Sequence, residues 1–168
     1  MKNATTNLFL SALLLAGLSS MEAARTLAVP TTMVATRGAV ADAQMLAQTH
    51  NGARVMAISG NSMIPFFGEG AVIVVKPIGI SQIRVGMLLV YRNRFGETIA
   101  HRAIARLDSG WQVKGYNNPA ADSTLVTSEN LIGVIYATFH PVASPAEETG
   151  LLAAGAMPVE IALAAPAK

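Results

Sequence analysis

A serine in a tight turn is the first residue of this chain that could do chemistry. Residues 59–65 read SGNSMIP and lie between two apolar segments. Gly60 allows an unusual backbone conformation and Pro65 stiffens the exit, so the turn could hold the Ser62 hydroxyl outward. A serine that attacks an amide needs a base for its proton and N–H donors for the oxyanion. Ser62 is therefore a candidate nucleophile, although the same spacing also suits an ordinary polar turn.

Three histidines are the candidate bases. His50 lies at the end of a predicted helix, and His140 lies beside a proline. His101 lies within a predicted strand, where the two-residue period places it on one face with Ile99 and Ala103. Burial on that apolar face favours the neutral imidazole, which is the form that a general base requires. His101 is the candidate base, and a histidine with a purely structural role in the core is the alternative.

A third group would have to orient the imidazole. Asp122, one of three aspartates, closes the polar segment KGYNNPAAD at residues 114–122. An aspartate in such a loop also commonly bonds to its own backbone, which is an adequate role by itself. Asp108 lies in an Asp-Ser-Gly turn, and only a turn role is expected for it.

The composition excludes several other classes of function. The chain has 168 residues, of which 52% are apolar and 13% charged, so a folded chain of about one domain is expected. Twelve Lys and Arg against ten Asp and Glu do not suggest the dense basic face that binds nucleic acid. The chain has no cysteine, which excludes disulfides, thiolate metal sites and cysteine nucleophiles. No zinc-type spacing and no glycine-rich phosphate loop occur, so neither a metal nor an organic cofactor is expected.

Alternating apolar runs and turns between residues 54 and 139 are typical of strands, which must position the candidate residues. The predicted strands cover residues 54–58, 71–75, 87–91, 97–104, 111–114 and 131–139. A short helix is predicted over residues 39–50, with Val40, Met45 and Leu46 as a thin apolar stripe and Asp42 near its N-terminal end.

The two ends of the chain differ in character from its middle. Lys2 and the apolar run at residues 8–18 fit a signal peptide, since a bilayer crossing needs about 20 apolar residues. Cleavage of residues 1–28, an uncleaved anchor and a buried helix are the alternatives, and the first two place the remainder outside the cytoplasm. A linker with the short helix follows at residues 29–53, then a domain at 54–140. An Ala/Pro-rich tail, with a helix near residues 151–156, is expected at 141–168.

The order of the motifs resembles the signal peptidase I superfamily, which includes the self-cleaving SOS-type repressors. The matching segments are SGNSMIP at 59–65, VGMLLVY at 85–91, AHR at 100–102 and KGYNN at 114–118. The resemblance covers residues 54–139, about half of the chain. Bacterial signal peptidases and the repressors have a lysine at the position of His101, so this sequence resembles the archaeal and endoplasmic-reticulum branch with histidine.

The resemblance implies roles for three residues: Ser62 as nucleophile, His101 as general base and Asp122 as the acid that supports the histidine. Lys76 and Lys114 are rival bases, but neither falls where the lysine branch carries its base. One departure is Tyr116, which stands where the loop of the family has its first aspartate. A second departure is the absence of an evident membrane anchor beyond the short N-terminal segment.

The expected fold is mainly β, a coiled and partly barrel-like antiparallel sheet with one short N-terminal helix and Ser62 at the lip of a groove. The resemblance implies hydrolysis of a peptide bond through an acyl-enzyme, without a cofactor. An extended peptide or protein substrate would bind along a sheet edge, with small side chains near the scissile bond. A membrane is a further expected partner through the N-terminal segment.

A catalytically silent exported β domain that binds a peptide or protein partner is the alternative. Tyr116 and the missing anchor favour it, whereas the co-occurrence of Ser62, His101 and Asp122 favours the enzyme. A self-cleaving regulator would need a DNA-binding domain, for which the first 50 residues leave no room once they include a signal peptide.

Overall fold

The computed structural model describes residues 29–142 and 160–163. This part of the chain forms one α-helix and seven strands. They are α1 (Thr36–Gln48), β1 (Arg54–Ser59), β2 (Val72–Lys76), β3 (Leu88–Arg92), β4 (Thr98–Leu107), β5 (Gly110–Lys114), β6 (Leu131–Phe139) and β7 (Glu160–Leu163). The prediction of a mainly β chain with a single short helix is confirmed.

The strands form one sheet that curls on itself. Its order is β3-β6-β2-β1-β7-β4-β5, and β3 pairs in addition with β4. Neighbouring strands are antiparallel except at β7, which runs parallel to both β1 and β4. The connection of β7 to β4 is a single residue pair, Ile99 with Leu163. The sheet is therefore partly barrel-like, as predicted.

Two apolar clusters lie against this sheet and support the residues of interest. The first contains Met63 and Phe67, which follow the predicted serine turn. The second contains Ile99, Ala103 and Trp111, so the face of β4 on which the period-2 pattern placed His101 is buried. Packing on both sides of the sheet holds the ends of β1 and β4 in fixed positions.

The helix differs in detail from its prediction. It begins at Thr36, three residues before the predicted start, and its buried residues are Ala39, Val40 and Ala43. These small side chains allow close packing on β2, whereas Met45 is 68% exposed and does not belong to an apolar stripe. The first turn holds no acidic residue. Asp42 therefore lies too far along the helix to interact appreciably with its dipole.

A strand lies within the predicted tail. The sequence predicts an Ala/Pro-rich tail at residues 141–168, but residues 160–163 form β7, which lies between β1 and β4. Ala162 is fully buried and belongs to the first apolar cluster. Sequence patterns miss this strand because four residues are too few to show a period, and the partner strands are distant in sequence.

Three predicted features lie outside the described residues: the signal peptide or anchor at residues 1–28, the helix near residues 151–156 and most of the tail. Within the described part, no helix combines the length and apolar character that crossing a bilayer requires.

Candidate active site

The turn after β1 holds Ser62 by several hydrogen bonds. Gly60 has a φ of 101°, a conformation that favours glycine. Its N–H donates to Glu69 Oε2 at 2.5 Å. The N–H of Glu69 in turn donates to Asn61 Oδ1 at 3.1 Å. Met63, the next residue after the serine, is fully buried. The backbone that carries Ser62 is therefore held on both sides. The role of Glu69 was not predicted from the sequence.

Ser62 and His101 form a hydrogen-bonded pair. The distance between Ser62 Oγ and His101 Nε2 is 2.8 Å, although the residues are 39 positions apart in sequence. His101 is 2% exposed and Ser62 5% exposed, so bulk water has little access to the bond between them. Weak competition from water strengthens this contact and preserves its geometry.

Asp122 lies on the other side of the imidazole. Its Oδ2 is 2.5 Å from His101 Nδ1, and its backbone N–H donates to the carbonyl of Val113 at 2.9 Å. A carboxylate at Nδ1 favours the tautomer with the proton on that nitrogen. In this tautomer Nε2 carries a lone pair and accepts the proton of the Ser62 hydroxyl. The three residues that the sequence singled out are thus brought together in one chain of hydrogen bonds.

Tyr91 is a fourth member of this chain that the sequence analysis missed. Its hydroxyl donates to Asp122 Oδ2, the same oxygen that faces His101. Burial raises the pKa of Tyr91, and the hydrogen bond and negative charge of Asp122 raise it further, so the hydroxyl stays protonated. The signal in the sequence was a tyrosine inside a buried strand, because a buried tyrosine hydroxyl usually needs a partner.

The loop after β5 covers the pair. The N–H of Asn117 donates to the Ser62 carbonyl at 2.7 Å. Gly115 lies so close to the imidazole that a Cβ added there would be 2.9 Å from His101 Nε2 and 2.7 Å from the side-chain nitrogen of Asn118. Glycine at this position therefore permits the close approach of the loop to His101.

Tyr116 lies at the rim of the site. It is 50% exposed and Phe66 is 44% exposed, and their rings meet edge to face with centroids 5.0 Å apart. The Arg102 guanidinium lies 5.9 Å from the centroid of the Tyr116 ring. We call Phe66 and Tyr116 the aromatic rim. Asp122 is the acidic contact of His101 in the described chain, and Tyr116 contributes aromatic surface beside it.

The rival bases lie elsewhere. Lys76 and His50 both contact the ring of Tyr136, Lys76 as a cation over the ring at 5.7 Å and His50 edge to face at 4.4 Å. Lys114 Nζ donates to the carbonyl of Pro119 at 3.3 Å. Of the candidate bases, His101 is the one that the structure places against Ser62.

His140 also lies apart from the site, near the end of β6. Its backbone carbonyl accepts hydrogen bonds from the N–H and the hydroxyl of Thr32, each at 2.8 Å. Burial lowers the pKa of its imidazole. In residues 29–142 and 160–163, no group of three or more His, Asp or Glu side chains is arranged to hold a metal ion.

Comparison with known proteins finds no match to a protein-family model, to a curated protein or to a solved structure.

Proposed function

We propose that this chain is a serine endopeptidase of the signal peptidase type, with Ser62 as nucleophile and His101 as general base. One observation carries the proposal. Ser62 Oγ, the two nitrogens of His101 and Asp122 Oδ2 form a continuous chain, with separations of 2.8 and 2.5 Å. Nucleophile, base and orienting acid in this geometry are what acyl transfer by serine requires.

In the first half of the reaction, Ser62 Oγ attacks the carbonyl carbon of the substrate peptide while His101 Nε2 takes the hydroxyl proton. Asp122 stabilises the imidazolium that forms. The tetrahedral intermediate then collapses, the C–N bond breaks, and Nε2 returns the proton to the leaving amine. The acyl group remains on Ser62 as an ester.

In the second half, a water molecule attacks the ester with His101 again as general base. The proton taken from the water passes to Ser62 Oγ as the ester bond breaks, which releases the acid and restores the hydroxyl. Tyr91, which burial keeps neutral, donates to Asp122 throughout and holds the carboxylate against His101.

The negative charge on the carbonyl oxygen needs donors close to the nucleophile. The backbone N–H of Ser62 is the nearest such donor along the chain, in a turn held by Glu69 and by the bond from Asn117 to the Ser62 carbonyl. A held backbone suits this role because its dipoles need no reorganisation during the reaction. We propose this turn as the oxyanion site.

The substrate class that we propose is an extended segment of a peptide or protein, acted on outside the cytoplasm after export through the N-terminal segment. A second candidate is the catalytically silent exported domain that binds a peptide or protein partner. The aromatic rim favours this second function, because exposed aromatic side chains suit the binding of an apolar segment.

A fluorophosphonate probe distinguishes the two functions on the full chain. We expect covalent labelling of one serine, abolished by Ser62→Ala and retained by Ser109→Ala, which removes a hydroxyl from an exposed turn. Peptide mapping by mass spectrometry identifies the labelled residue. A folded wild-type protein that takes up no probe, or equal labelling of the Ser62→Ala variant, contradicts the peptidase proposal and supports the binding domain.

A further inference from the structure

Strand β7 lies between the two strands that carry the site. β1, which leads into the Ser62 turn, pairs on one edge with β2 and on the other with β7. β4, which carries His101, pairs with β3 on one edge. On its other edge it pairs with β7 at Ile99 and with β5 from Arg102 onward. His101 therefore lies at the point of β4 where the neighbouring strand on this edge changes from β7 to β5.

The direction of β7 leads toward the catalytic pair. Leu163 is in register with Ser59 of β1 and with Ile99 of β4, and all three strands run parallel. Ser62 follows Ser59 by three residues, and His101 follows Ile99 by two. Since a strand advances about 3.3 Å per residue, an extended chain along this path comes level with His101 about 7 Å beyond the position of Leu163.

The same edges are the ones that an extended substrate would need. A peptide approaching Ser62 between β1 and β4 would form main-chain hydrogen bonds with residues 56–59 and with Ile99, which are the partners of β7. The two chains cannot occupy these edges together. This inference rests on the proposed function. Because the two chains need the same edges, the segment at residues 160–163 competes with the substrate.

We propose that β7 occupies the peptide-binding groove of its own chain and that a substrate peptide must displace it. The attachment of β7 suits displacement. It has four residues, and it meets β4 at a single pair. An incoming parallel strand would restore the same main-chain hydrogen bonds and would have to replace the contact of Ala162 with the first apolar cluster.

Binding of a free copy of the segment tests this proposal without relying on catalysis. The probe is a fluorescein-labelled peptide with the sequence MPVEIALAAPAK of residues 157–168. The protein is the full chain carrying Ser62→Ala, and the readout is fluorescence anisotropy. A strand tethered in cis reduces the apparent affinity of the free peptide by the fraction of chains whose groove is open.

Two modifications should move this affinity in opposite directions. Ala162→Asp puts a charge into an apolar cluster and releases β7, so we expect the peptide to bind at least tenfold more tightly. A disulfide between Ala57→Cys and Ile161→Cys, which are register partners, holds β7 in place. We expect the oxidised form to bind at least tenfold more weakly than the reduced form. If this disulfide does not form, Ser59→Cys with Leu163→Cys is another pair of register partners.

Matched controls separate displacement from general effects on the fold. Ala41→Asp adds a charge on the exposed side of α1, and Arg92→Cys with Thr98→Cys joins register partners in the β3–β4 hairpin. Neither should alter peptide binding. Equal binding by the oxidised and reduced β7 disulfide, or no gain with Ala162→Asp, overturns the proposal and makes β7 a fixed strand. Failure of fluorophosphonate labelling would leave this binding result unaffected, so the two proposals fail separately.

Discussion

The hydroxyl of Tyr91 donates a hydrogen bond to Asp122, at the same carboxylate oxygen that faces His101 Nδ1. The Tyr91 hydroxyl and His101 Nδ1 therefore both bond to the same oxygen, Oδ2, of the buried Asp122 carboxylate. The other oxygen, Oδ1, is buried without a hydrogen-bond partner among the described residues. The orientation of Asp122, and through it that of the imidazole, therefore depends on Tyr91 and on the backbone bond to Val113.

Replacement of Tyr91 by phenylalanine tests this dependence. We expect Tyr91→Phe to lower the rate of fluorophosphonate labelling several-fold, because Asp122 then holds the imidazole less firmly. Loss of a hydrogen bond to a charged group should also lower the free energy of unfolding by about 1.5–3 kcal/mol. Labelling kinetics and urea denaturation measure the two effects. Tyr136→Phe removes a half-exposed hydroxyl and should change neither.

The labelling rate should depend on His101. Its Nε2 lies 2.8 Å from Ser62 Oγ and takes the hydroxyl proton in the proposed mechanism. In His101→Gln the labelling should therefore disappear. Asp122→Asn should lower the rate by roughly 10²–10⁴-fold because an amide permits the wrong tautomer. A His101→Gln variant with an unchanged rate would show that the base lies elsewhere.

A methyl group on Gly115 should impair the site. The Cβ of Gly115→Ala would be 2.9 Å from His101 Nε2 and 2.7 Å from the Asn118 side chain, so the loop or the imidazole must shift. We expect at least a tenfold loss of labelling rate with a smaller effect on thermal stability. Gly79→Ala is the matched control, because its nearest neighbours would lie at 3.5 and 3.8 Å. Equal labelling rates for Gly115→Ala and Gly79→Ala would contradict the close approach of Gly115 to His101.

His140 should make stability depend on pH. Burial lowers the pKa of His140 in the folded state, so the unfolded chain binds its proton more readily than the native one. This contribution to stability is present above the ordinary histidine pKa of about 6.5 and is lost as pH falls through the lower pKa of the folded state. We expect the melting temperature to fall less between pH 7.5 and 5 in His140→Gln than in the wild type. The same fall in both proteins would contradict the assignment.

Local patterns in the sequence were enough to predict six of the seven described strands. The apolar run that became β2 and the nine-residue β6 fall within one residue of their predicted bounds. The reason is that β-branched residues and alternation with period two report burial on a sheet without reference to any partner. The same alternation placed His101 with Ile99 and Ala103, and all three are buried. The turn around Ser62 was likewise recognisable from Gly60 and Pro65.

Contacts between distant segments depended on the tertiary structure. The sequence alone presents Ser62, His101 and Asp122 as three separate candidates, and the pairing of β3, β4 and β5 brings the last two together beside Tyr91. Strand β7 is the clearest case, since four residues near the end of the chain carry no detectable period, yet pair with residues about a hundred positions earlier. A local pattern records which side of a strand is buried, whereas strand order depends on the packing of the whole chain, which no short segment encodes.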